Sequence, residues 1–263
     1  MEKLSVHGLV LREKPLGDND KLLTLLTAEH GKMFVTGKGV RSLKNKNMTS
    51  SQPFAYSTFV LTKNKSGFYH ISESDLHELF FGIRTDLNRI ALASYICDVA
   101  DHCSVEENDE TALLRLTLNT LYAISQDKRP LPQIKGAFEL RCAAVSGMAP
   151  DLSACCMCDS DEAPLYYLDI LEGELLCSDC ISRRRADKYA DREGEWTRPF
   201  IAVSPMLLGA FRYTIEADAS KFLSFSLPEA ELSNYSAACE RYLLHHLGRG
   251  FPTLEYYKHC LTL

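Results

Sequence analysis

Cys155 and Cys158 form one C-x2-C pair, Cys177 and Cys180 form a second, and eighteen residues separate the two pairs. No other feature of the sequence constrains the fold as much. A C-x2-C turn points two thiolates the same way, and two such turns about 15–20 residues apart complete a tetrahedron around Zn2+. Between them, Leu165-Tyr166-Tyr167-Leu168 and the turn Glu172-Gly173-Glu174 predict a hairpin, as in a zinc ribbon. This lobe has too few apolar residues to fold alone, so one structural metal would supply its stability. Two other readings stand beside structural zinc: four unrelated buried thiols, and a redox-active C-x2-C. Cys156 is an alternative ligand to Cys155. Four thiolates leave no position for water, which argues against a catalytic zinc. Cys97, Cys103, Cys142, Cys239 and Cys260 read as small buried apolar residues.

Ten cysteines also raise the question of a secreted disulfide scaffold. The opening, Met1 to Arg12, has no long apolar core followed by small residues, and no stretch approaches the ~18 apolar residues of a membrane span. A cytoplasmic chain with reduced thiols is therefore expected.

Residues 1–80 read as β. Short apolar runs recur at Leu4–Leu11, Lys21–Thr27, Met33–Thr36, Ser57–Thr62 and Phe68–Ser72, separated by turn signals at Pro15–Asp18, His30-Gly31 and Asn64–Gly67. Five short strands in this length suit a small closed barrel. The net charge of the chain is −6, yet residues 1–80 hold 11 Lys+Arg against 8 Asp+Glu, and Lys32–Ser72 holds seven basic residues and no acid. A local basic stretch in an acidic chain still attracts anions. The polar section Lys38–Phe54 is predicted to be a mobile loop; Lys38, Arg41, Lys44 and Lys46 cluster in it, and Gly37 and Gly39 would let its backbone approach a phosphate. Lys32, Lys63 and Lys65 flank the barrel, interleaved with Phe34, Phe54, Tyr56, Phe59, Phe68 and Tyr69. Cations with flat rings are the pairing that holds single-stranded nucleic acid. Most of these rings must face the core, and the pattern does not say which one or two are free.

From Leu79 the period becomes helical. Stripes run through Ile83–Tyr95, Leu113–Tyr122 and Ile134–Val145, the last ended by Gly147 and Pro150. Ser204-Pro205 predicts an N-cap followed by proline at the first helical position; Glu229–Leu247 and Thr253–Leu261 are further helices. The expected organisation is α+β: a barrel at 1–80, a helical domain at 81–150 and 199–263, and an inserted zinc-binding lobe at 151–198.

Other candidates are weaker. Arg183-Arg184-Arg185, Lys188 and Arg192 are interrupted by Asp187, Asp191 and Glu193, and read as a salt-laced helix face. Glu106-Glu107 and Asp109-Glu110 read as a solvated turn between helices, and His245, His246 and His259 as ordinary helix residues. Gly37-Lys38-Gly39 lacks the remaining positions of a phosphate-binding loop. With no Ser/His/Asp arrangement or paired carboxylates, no catalytic role is expected.

Val10–Asp18, then Leu22–Thr27, His30-Gly31-Lys32, Gly37-Lys38-Gly39-Val40-Arg41 and Gln52-Pro53-Phe54 resemble the opening of the RecO family. The helical middle, the cysteine pairs and the closing helices follow in that family's order, so the resemblance spans the chain. It implies an OB-fold barrel, a helical domain and a zinc lobe with Cys155, Cys158, Cys177 and Cys180 as ligands. It implies a mediator of the RecF pathway that binds single- and double-stranded DNA, anneals strands and, with RecR, helps load RecA onto coated strands. It also implies binding to the C-terminal tail of single-stranded-DNA-binding protein, in the helical domain at positions that cannot be matched here, and a nucleoid-associated location. The DNA-binding positions it carries over are Lys38 and Arg41, with Lys44 and Lys46 as helpers. One departure is Val40, where family members often have a second basic residue beside Arg41. Two other function classes stand beside this one: a zinc-containing protein-interaction adaptor without direct DNA binding, and a zinc or thiol enzyme.

Overall fold

Five strands form at the N-terminus, with burial that alternates clearly in the third and fourth: β1 (Lys3–Leu16), β2 (Asp20–Thr27), β3 (Lys32–Gly37), β4 (Tyr56–Lys63) and β5 (Tyr69–Glu78). They close into a barrel in the order β1-β2-β3-β5-β4. The computed structural model describes residues 3–187 and 199–262. All pairs are antiparallel except β3–β5, which meet in parallel at Val35↔Tyr69 and Thr36↔His70. Val10, Leu23, Leu25, Val35, Phe59 and Leu61 fill the interior.

β1 serves both halves of the barrel. It pairs with β4 from Lys3 to Leu9 and with β2 from Gly8 to Leu16, and the register shifts between Val10 and Arg12. Such an irregularity bends a strand and increases its twist, which lets one strand turn from one partner to the next. β1 and β5 outlast the apolar runs expected for them. Their added ends are largely exposed and are carried by backbone pairing rather than by a hydrophobic pattern.

The helices are α1 (Leu87–Cys103), α2 (Thr111–Ser125), α3 (Leu131–Val145), α4 (Ser178–Asp187), α5 (Pro205–Glu216), α6 (Glu229–Leu247) and α7 (Pro252–Cys260). The helical period beginning at Leu79 starts as a short 3-10 helix, Phe81–Thr85, and the α-helix waits for Leu87. Asp86 is the cause: it is extended, and its side chain accepts from the Arg89 N–H as an N-cap. Ser204 caps α5 as expected, accepting from Leu207 N at 3.2 Å with Pro205 behind it. No described helix is long and apolar enough to cross a membrane.

The chain divides into two compact units, Met1–Leu131 with Phe251–Leu263, and Pro132–Gly250. The helices that the sequence groups in one domain thus fall in both units. In the first, α1 lies against the barrel through Arg12–Asp98 (2.8 Å) and Lys32–Asp101 (3.1 Å), and α7 joins it through Thr253 and Asp98 (2.8 Å). In the second, β6 (Asp151–Cys155), β7 (Tyr166–Asp169), β8 (Glu174–Cys177) and β9 (Phe200–Val203) form a sheet in the order β6-β8-β7-β9. The hairpin expected around Glu172–Glu174 is β7–β8; β6 and β9, absent from the expectation, flank it. Arg212 of α5 holds β6 by donating to the carbonyls of Leu152 and Ser153, each at 2.7 Å. Buried Lys135 bridges Glu139 (2.9 Å) and Glu240 (2.7 Å), tying α3 to α6. The two carboxylates outweigh the burial penalty and raise the Lys135 pKa, so the ammonium stays charged.

The connection between α1 and α2 is pressed onto the turn between β2 and β3. Lys32 N donates to Val105 O at 2.9 Å and Glu107 N to His30 O at 3.1 Å. Gly31 makes this fit possible: its φ is +60°, and a Cβ there would lie 2.1 Å from Val105 O. Gly31→Ala is therefore expected to cost about 2–3 kcal/mol in urea unfolding, through strain and a backbone collision. Gly17 also has positive φ but has nothing within 4 Å of such a Cβ. Gly17→Ala should cost about 1 kcal/mol, the backbone penalty alone.

Candidate nucleic-acid interface and metal centre

The connection from β3 to β4 carries the four cations singled out in the sequence, and Lys38, Arg41, Lys44 and Lys46 are all exposed. Where the polar composition suggests an open loop, the structure has ordered turns, closed by Ser42 N to Gly39 O, Asn45 N to Ser42 O and Met48 N to Asn45 O, each at 3.0 Å. Both of its ends are fastened. At the first, Gly39 N donates to Asp20 Oδ1 (2.8 Å), Arg41 N to Asn19 O (3.1 Å), and the Arg41 guanidinium to Gly17 O (3.0 Å). At the second, Asn47 accepts from Ser74 of β5 at 2.8 Å. Val40, Ser51 and Ala55 are wholly buried beneath the turns.

This changes the part assigned to the glycines. Gly37 leaves room for Val40, whose Cγ2 would lie 2.8 Å from an added Cβ, and Gly39 takes φ +64° with its N–H already bound to Asp20. Both serve the turn itself. Val40 is buried beneath the same turn, which suits an apolar residue at this position. The count of acids along the sequence also missed Asp20, which the fold brings against the loop from the turn between β1 and β2. Among the described residues no carboxylate pairs with the side chains of Lys38, Lys44 or Lys46. Lys32, by contrast, is held by Asp101.

The rings divide clearly. Phe54 and Phe59 are buried, Tyr56 and Tyr69 half-buried, and Phe34 and Phe68 exposed at 45% and 65%. Of the second basic run, Arg183 is exposed on α4. Lys188 and Arg192, and the side chains of Arg184 and Arg185, lie outside the described residues.

The cysteine pairs come together from β6 and its following turn on one side and from β8 and α4 on the other. The Sγ atoms of Cys155, Cys158, Cys177 and Cys180 all lie within 4.8 Å of one another, and those of Cys158 and Cys177 are 3.8 Å apart. Zn–S bonds of about 2.3 Å in a tetrahedron place sulfurs about 3.8 Å apart, so the donor set fits the metal. Cys156 is exposed and outside the cluster, which leaves Cys155 as the member from that pair of neighbours. Burial works against the Cys155 thiolate, but the N–H groups of Cys177, Met157 and Cys158 outweigh it and bring the thiol down to about 6. Hydrogen bonding to Cys158 and burial push Cys180 up. Four thiolates repel at this spacing, and a divalent cation is the charge that lets all four deprotonate together.

The strand order, the short parallel seam and the long connection after β3 define the N-terminal part as an OB-fold, joined to helices and a four-cysteine ribbon. Residues 1–80 match the family model described as Recombination protein O N terminal, and residues 84–194 match Recombination protein O C terminal. The chain is 30% identical over 258 residues to the DNA repair protein RecO of Acetivibrio thermocellus, covering 98% of this chain and 97% of that one. It is 26% identical over 253 residues to that of Alkaliphilus metalliredigens, covering 96% and 97%. With that of Bacillus subtilis it shares 25% over 261 residues, covering 97% and 96%. The chain belongs to the RecO family, and that membership supports a role in DNA repair and recombination.

Asp20 holds the first turn of the basic loop. Asp20→Ala should speed tryptic cleavage after Lys38 and Arg41 several-fold in limited proteolysis. The unfolding midpoint should fall only modestly, because a part-buried hydrogen bond of this kind contributes about 1–2 kcal/mol and the barrel core is untouched.

Proposed function

We propose that this protein is a non-enzymatic mediator of recombinational DNA repair whose barrel captures DNA by its phosphate backbone through Lys38, Arg41, Lys44 and Lys46. The observation that carries this reading is the loop itself: four exposed cations held on a fixed backbone at one end of an OB-fold. Fixed cations bind the backbone with little further ordering, and backbone contacts position a strand without reading its sequence. Such a surface accepts single and double strands alike and can hold two complementary strands for annealing. Membership of the family supports the remaining steps: action in the RecF pathway with RecR, contact with the C-terminal tail of single-stranded-DNA-binding protein, and loading of RecA onto coated strands. It also supports a cytoplasmic, nucleoid-associated location.

We further propose one structural zinc held by Cys155, Cys158, Cys177 and Cys180. The metal supplies cross-linking of β6, β8 and α4, with no open position for a reacting water. Elemental analysis should find about one zinc per chain, because two C-x2-C pairs make one tetrahedral site. Cys177→Ala should release the metal and destabilise the ribbon, whereas Cys156→Ala should retain it. Freshly purified, reduced protein without metal would contradict the assignment.

The loop is tested through salt. Each phosphate neutralised on a single strand adds about 0.7 to the slope of log affinity against log salt. Replacing Lys38, Arg41, Lys44 and Lys46 together with alanine should lower that slope by up to about 3. Binding should weaken alike for strands of different sequence, and the fold should persist, since exposed charges contribute little to stability. A folded variant with unchanged affinity and slope would move the DNA contact to the zinc-side arginines or the far face of the barrel, and a wild-type chain that binds no DNA would leave the protein-interaction adaptor instead.

A further inference from the structure

Phe34 and Phe68 are large apolar side chains on the outside of the barrel, and the fold places them side by side. In the β3–β5 seam Val35 pairs with Tyr69, so Phe34 and Phe68 each directly precede a paired residue on neighbouring backbones. Val35 points into the core and Tyr69 packs against it, which turns the two phenylalanines outward. They line a groove of about 340 Å3. Its lining also includes Lys32, Glu106 and Glu107, together with Lys63, whose ammonium lies 5.1 Å from the centre of the Tyr69 ring. Single exposed apolar residues on a surface need no explanation, but two adjacent rings in a concave groove do.

We propose that Phe34 and Phe68 form a stacking platform for unpaired nucleobases, and that this platform makes the barrel favour single strands over duplex. The proposal rests on the reading of the barrel as a DNA-binding surface. Three features argue for this occupant. Flat rings beside a cation suit a base with its phosphate: the base stacks and the phosphate meets Lys63 or Lys65. The carboxylates of Glu106 and Glu107, which also line the groove, repel a second phosphate backbone, so a duplex entering the groove would bring one of its strands near like charge. Finally, the groove and the basic loop are joined by β3, which carries Phe34 and leads into Lys38. Phe34 precedes Lys38 by four residues of extended chain, about 13 Å, within reach of a strand occupying roughly 4–16 nucleotides on an OB-fold. The loop contributes charge and the groove contributes selectivity.

The two contributions separate in one experiment on the full chain: titration of labelled oligothymidine and of a hairpin duplex across a range of salt. Phe34→Ala and Phe68→Ala should each weaken oligothymidine binding by roughly tenfold, the usual scale for losing one stacked base. Duplex binding should change by less than about twofold, and the salt slope should stay as in the wild type, because a ring releases no counterions. Phe34→Trp should keep the affinity and show fluorescence quenching on binding; Phe34→Leu, apolar but not flat, should bind like the alanine variant. Circular dichroism establishes that each variant is folded. Equal losses for single strand and duplex, unchanged binding, or full rescue by leucine would each overturn the proposal, the last pointing to an apolar peptide as occupant. If the wild-type chain binds with a salt slope that depends on the loop while the ring variants are silent, only the platform fails. If the wild-type chain binds no single strand, the reading beneath it fails as well.

Discussion

Two residue pairs, Val35↔Tyr69 and Thr36↔His70, close the barrel, and everything placed on its surface follows from that seam. Parallel pairing is somewhat weaker per residue than antiparallel pairing, and two pairs hold little by themselves. The seam persists because Val35 and Ile71 are buried on its inner side against Phe59 and Leu61. Closing there forces the chain leaving β3 at Gly37 to cross the end of the barrel before β4 begins at Tyr56. The crossing cannot hang free. Asp20 holds its start, Ser74 its finish, and Val40 is buried under it. The same closure sets Phe34 beside Phe68 and leaves both on the outside.

Net charge is a poor guide to what such a surface attracts. The chain carries −6, but charges separated by more than a Debye length, about 8–10 Å in physiological salt, are largely screened from one another. What a phosphate meets is the local set: the loop cations, opposed by Asp20 and, from the exposed turn beside it, Asp18. Lys32 and Arg12 belong to a different set, since Asp98 and Asp101 of α1 already hold them. Basic residues that look equivalent along the sequence are thus divided by the fold into those that join elements and those that face solvent.

That division marks how far the sequence could be read. The five strands, the hairpin of the ribbon and the Ser204 cap were legible because alternation, turn residues and capping are local. The four clustered thiols were legible because C-x2-C geometry is local too. β6 and β9 were not, since their place depends on partners far along the chain: Gly173 O for Asp151 and Pro199 O for Ile170, beside the strand pairings themselves. The turns of the loop are not legible because polar composition hides the buried Val40, Ser51 and Ala55, and Asp20 lies 18 residues before Lys38 in the sequence. Which rings stay outside the barrel depended on the β3–β5 register, a long-range fact. The placing of α1 against the barrel and of α7 against α1 likewise depends on long-range contacts, such as Arg12–Asp98 and Thr253–Asp98, that no periodicity announces.

The central claim is that the barrel, through the turns after β3, is where this protein meets DNA. Hydrogen–deuterium exchange of the full chain, with and without a saturating single strand, tests it without altering a residue. Slowed exchange is expected across residues 38–46, with further protection at 34 and 64–69 and little change in residues 151–183. Protection confined to the four-cysteine ribbon or the helices, with residues 32–72 unchanged, would contradict it.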